Sequence, residues 1–66
     1  MSSQVVYAHD SGSEIRVTGL EIRNDELYAR GVYSSRPGRR PGISRVPINI
    51  LTDPATGWRY DRTEQR

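Results

Sequence analysis

Arg36, Arg39 and Arg40 fall within a five-residue span, inside the stretch SSRPGRRPG (residues 34–42), which also holds two Pro-Gly pairs and no acid. Guanidinium groups so spaced suit phosphate. Each presents a planar fork of donors that matches a phosphate edge. Proline removes helix from the conformations open to the residue before it, so Ser-Ser-Arg-Pro and Arg-Arg-Pro cannot coil. The expected form is a β-ribbon tip or finger standing off the domain over residues 34–43. Arginines on a slim extended backbone can enter the narrow minor groove of A·T-rich DNA, or fold onto RNA. A solvated connector and a protein-binding arm are the alternative readings of the same stretch.

A hydrolytic site is the other chemistry to weigh. His9 is the only histidine and is followed by Asp10. With a carboxylate and an arginine it forms the minimal set for phosphodiester cleavage. Neighbours on a strand face opposite ways, however, and a chain this short leaves little depth for a pocket. No nucleophile elbow, phosphate-cradling glycine loop or metal-ligand spacing occurs. His9 therefore reads as a surface or turn residue, and the expectation is a non-enzyme without cofactor or metal.

The charge is unevenly spread along the chain. From Leu27 to Thr52 there are five arginines (Arg30, Arg36, Arg39, Arg40 and Arg45) and no acid, whereas the remainder sets five arginines against eight acids, a net charge of −3. Such segregation is the footprint expected of a polyanion-binding face on a domain of mild net charge. Within the window RPGRRPG resembles a permuted AT-hook. Its residue order departs from the Arg-Gly-Arg-Pro core of that motif, so no residue role is carried over. Tyr28, beside Arg30, is the aromatic placed to stack on a base, with packing over apolar surface as its plain structural alternative.

Those residues need elements to hold them. EIRVTGLEIRNDELYARGVYS (residues 14–34) reads as a hairpin, because Asn24 and Asp25 tolerate the left-handed backbone of a two-residue turn. That turn sets Arg23 against Glu26, Ile22 against Leu27, Glu21 against Tyr28 and Leu20 against Ala29. Ile15 and Val17 are out of phase with Leu20 and Ile22, so a bulge is expected near Gly19. With it, Ile15, Val17, Leu20, Ile22, Leu27, Ala29 and Tyr33 share one face. Arg16, Glu21, Arg23, Tyr28, Arg30 and Val32 share the other.

QVVYAH reads as a first strand, RVPINIL as an edge or bulged strand alternating at Val46, Ile48 and Ile50 with Pro47 opposite, and WRYDR as a short last strand burying Trp58 and Tyr60. TDPATG between the last two reads as a loop, with Asp53 in an Asx-turn and Gly57 as a left-handed exit. A helix capped by Asp53 is the rival reading. Residues 61–66 are expected to fray. The fold expected is all-β: five mostly antiparallel strands in a curled sheet or open barrel, one domain over residues 1–66.

Sixty-six residues with 33% apolar content and no cysteine make a thin core without disulfides. Either the packing is economical or the domain is completed by another copy or a partner. No apolar run is long enough to span a membrane and no signal peptide is evident, so a cytoplasmic protein is expected. Two functions follow from these residues. The first is a nucleic-acid-binding module using Arg36, Arg39, Arg40, Arg45, Arg30 and Tyr28. The second is a structural or assembly protein, such as a virion component, or a partner-binding inhibitor.

Overall fold

A computed structural model describes residues 3–35 and 42–65. The hairpin register is as the turn chemistry requires: Arg23 pairs with Glu26, Ile22 with Leu27, Glu21 with Tyr28 and Leu20 with Ala29. Asn24 and Asp25 carry φ of 51° and 63°, the left-handed pair of a two-residue hairpin turn. β2 (Glu14–Arg23) and β3 (Glu26–Ser34) flank it. The phase change also appears. Val17 pairs with Gly31 and Gly19 with Arg30, leaving Thr18 as the extra residue of a bulge.

β1 (Ser3–His9) pairs antiparallel with β2, and β4 (Gly42–Pro47) with β3. The chain then leaves the sheet. A five-residue helix α1 (Ile48–Thr52) and a 3-10 turn (Pro54–Thr56) carry it across to the far edge, where β5 (Trp58–Gln65) pairs with β1. The sheet order is β4-β3-β2-β1-β5, all antiparallel, with β4 and β5 as its two edges.

Three expected element boundaries are corrected. RVPINIL is not one strand: Pro47 ends β4 and Ile48 opens a helix. Proline has no N–H for the ladder, and one helical turn brings Ile48 and Leu51 to the same side, which strand alternation cannot do. Residues 62–65 pair with β1, as far as Gln65 against Ser3, where fraying was expected over 61–66. Asp61 is extruded between Arg62, opposite Val6, and Tyr60, opposite Tyr7, so the strand continues beyond the irregularity. Ser34 lies in β3, and Gly42 and Ile43 in β4, which shortens the loop expected over 34–43.

At TDPATG both earlier readings hold in part. Asp53 Oδ1 accepts from the Ala55 amide at 3.0 Å, and Gly57 has a φ of 89°.

The inner face is covered by α1 over its central part. Leu51 meets Ile15 and Ala29, with Tyr7, Val17, Val46, Ile48 and Trp58 packed around them. Tyr33 sits at the margin, edge-on to Trp58 at 6.5 Å with its hydroxyl on Ser13 Oγ. Tyr60, expected inside, is exposed. On the outer face Val6 is fully buried, lying in register between Arg16 and Arg62. Arginine stems can shield such a residue while their charged ends remain in water.

Gly31 has no room for a side chain beside β2: a Cβ there would clash with the Arg16 carbonyl group. Gly31→Ala must therefore push β3 off the bulged strand. An expected loss of about 1–3 kcal/mol, the range for overpacking, is measurable by urea denaturation.

Candidate nucleic-acid interface

Arg30 and Arg45 are direct cross-strand partners on β3 and β4. Like charges opposite one another repel, so the pair needs an anion nearby. Glu21 of β2 supplies it. Arg45 Nε donates to Glu21 Oε2 at 2.9 Å, Arg30 donates more weakly to Oε1 at 3.5 Å, and Arg23 Nε stands 3.9 Å from Oε2. One carboxylate thus serves three guanidiniums from three strands. The hydrogen bond from Arg45 is the largest influence on Glu21 and holds its pKa below the usual value, with the charges of Arg45 and Arg23 and the bond from Arg30 assisting.

Tyr28 sits on the same face, between Glu21 on β2 and Pro47 on β4. Its hydroxyl donates to Glu26 Oε2 at 3.2 Å, and the Glu26 charge is the main cause of a raised phenol pKa. A surface groove of about 550 Å³ at the hairpin end is lined by Arg23, Asn24, Tyr28 and Arg45 and also reaches Ile22, a residue of the opposite face of the hairpin. All three arginines are largely exposed: their side chains retain 61% (Arg23), 51% (Arg30) and 43% (Arg45) of full accessibility. Their unused N–H donors remain open to a ligand.

At the other end of the outer face the arginines are fully matched by acid. Arg16 pairs with Glu64 at 2.7 Å, and Arg62 pairs with Glu64 at 3.0 Å, with Glu14 at 3.7 Å and with Asp61. There three carboxylates face two arginines; at the Glu21 cluster the arginines exceed the carboxylates. The difference follows from the acid-free window, since β3 beyond Glu26 and all of β4 contribute no acid of their own.

Of the six residues expected to bind nucleic acid, the structure brings Arg30, Arg45 and Tyr28 to one surface. Arg36, Arg39 and Arg40 lie outside the described residues. Their segment joins the ends of β3 and β4 remote from Arg23, and from Arg30 to the last residue of β3 is about 13 Å of strand. Arg23, the third arginine of the cluster, was not among the residues expected there. Its place on the Arg30 face was legible, but its cross-strand partner Glu26 made it look neutralised.

His9 is engaged internally. The Ser11 amide donates to Nδ1 at 3.1 Å, so in this geometry Nδ1 is the acceptor and Nε2–H donates to the Thr56 carbonyl at 3.1 Å. Ser11 Oγ lies 2.8 Å from Nδ1 and 3.1 Å from Ser13 Oγ, which receives the Tyr33 hydroxyl. The ring packs edge-on against Trp58 at 4.9 Å, and neighbouring Asp10 is paired with Arg59. These contacts pin the β1–β2 turn to the start of β5. Among the described residues no group of three His, Asp or Glu is placed to hold a metal ion, and no helix is long and apolar enough to cross a membrane.

No protein-family model matches the chain, and no curated protein or solved structure does so either.

Proposed function

We propose that this chain is a small nucleic-acid-binding β module whose outer face at β2, β3 and β4 contacts phosphates. The convergence of Arg23, Arg30 and Arg45 on the single carboxylate of Glu21 carries the reading. Two carboxylate oxygens cannot engage the donors of three guanidiniums, so a phosphate backbone finds fixed, partly unspent forks on a largely exposed surface. Arg36, Arg39 and Arg40 belong to the same acid-free window and lengthen the stripe by sequence. Tyr28 offers a ring face at the groove for an unpaired base, its hydroxyl held by Glu26.

Contacts of this kind are electrostatic, so affinity must depend on salt. Fluorescent DNA and RNA oligonucleotides titrated at about 50 mM and about 200 mM salt should give a log–log slope of a few units. Arg30→Ala/Arg45→Ala should lower that slope by about two. The reading fails if neither oligonucleotide binds at the lower salt. It also fails if the double variant leaves the slope unchanged.

A further inference from the structure

Helix α1 closes only part of the inner face. Leu51 covers Ile15 and Ala29, but toward the Asn24–Asp25 turn the same face stays bare, with Leu20 61%, Ile22 75% and Leu27 41% exposed. Tyr60, edge-on to Tyr7, is 58% exposed on the opposite flank. Between the two flanks runs a groove of about 290 Å³ lined mainly by Val5, Tyr7, Val17, Leu20 and Ile48. None of the side chains named on this face is charged.

We propose that the inner face is the interface of a homodimer, with the hairpin tip of each copy, Ile22 and Leu27, seated in the groove of the other. This inference does not rest on nucleic-acid binding. A protruding apolar knob and an apolar groove on one surface are the two halves of a two-fold interface, in which the same patch meets itself. A foreign partner needs only one of them.

Area points to reciprocal insertion. Leu20, Ile22, Leu27 and Tyr60 leave roughly 200–350 Å² bare per copy, taking typical burial areas for aliphatic and aromatic side chains. Laid flat, such patches fall short of the roughly 1,200 Å² total of a small stable interface. Seating each hairpin tip in a groove covers the groove walls as well and brings the total toward that size. The face also opposes no charge to its copy, and Arg23, Arg30 and Arg45 remain on the outer side.

Sedimentation equilibrium between about 1 and 500 µM tests the proposal, alongside the thermal midpoint over the same range. A monomer–dimer equilibrium is expected, with Ile22→Glu weakening it at least tenfold. Ile43→Glu alters an aliphatic side chain just as exposed, but on the outer face, and should leave association unchanged. If Ile22→Glu does not fold, a wild-type midpoint that rises with concentration supports the dimer and a constant one overturns it. A wild type that stays monomeric throughout overturns the proposal. So does a dimer that survives Ile22→Glu in a folded variant, or one lost on Ile43→Glu.

Discussion

Leu51→Ala should remove most of the stability of the domain, by about 2–5 kcal/mol, the range for emptying a fully buried leucine site. Leu51 is 1% exposed and comes from outside the sheet to meet Ile15 and Ala29, both fully buried. A five-residue helix has no stability of its own, so α1 stays in place through what its side chains bury. Local hydrogen bonds only trim it: Thr52 Oγ1 donates to the Ile48 carbonyl, and Thr56 Oγ1 to the Ile50 carbonyl at 2.6 Å. Sixty-six residues carry about 3–10 kcal/mol in total at ordinary values per residue. The loss is therefore comparable with the whole, and the thermal midpoint should fall by tens of degrees or the cooperative transition disappear. Leu20→Ala removes a side chain of the same type from an exposed position on the same face. In the monomer it should cost well under 1 kcal/mol. Calorimetry on the two variants measures both, and equal losses would show that α1 does not close the core.

What could be read from the sequence was what local chemistry decides. Asn24-Asp25 sets its own turn, the turn sets the register from Arg23–Glu26 to Leu20–Ala29, and the mismatch between Val17 and Leu20 locates the bulge. Asp53, Pro54 and Gly57 likewise announce their turn. The reading failed where a distant requirement outweighed a local pattern. Val46, Ile48 and Ile50 alternate like a strand, but the inner face needed covering, and Pro47 let the chain turn away to supply Leu51. β5 runs to Gln65 because pairing with β1, and ion pairs from Arg62 and Glu64 across the outer face, hold a polar tail that carries little apolar signal. The candidate site was half legible. The face shared by Arg23, Tyr28 and Arg30 followed from the hairpin, but Arg45 opposite Arg30 depends on the β3–β4 register, which no short-range rule supplies.

Glu21→Gln should strengthen oligonucleotide binding, against the ordinary expectation that breaking native ion pairs harms a protein. In the wild type the carboxylate occupies the position a phosphate oxygen would take among Arg23, Arg30 and Arg45. Incoming phosphate must compete with it. Glutamine keeps an oxygen acceptor for Arg45 and removes the charge, so the arginines are released to the ligand with little change in geometry. Affinity at low salt should rise severalfold, and the salt slope should steepen by up to about one unit as one more cation becomes available. Acid should mimic the substitution. Because the Arg45 hydrogen bond lowers the Glu21 pKa in the fold, the contribution of this carboxylate to stability is complete above its unfolded value of 4.5 and is lost as pH falls through the folded value. Over that lower window Glu21 becomes neutral and the wild type should gain affinity, whereas Glu21→Gln should gain less, retaining only what Glu26 and other carboxylates contribute. Fluorescence anisotropy of both proteins from about pH 3.5 to 7, checked by circular dichroism for folding, separates the alternatives. Weaker binding by Glu21→Gln at neutral pH would mean that the carboxylate positions the arginines rather than blocking them. Parallel pH curves for the two proteins would mean that phosphate never meets this cluster.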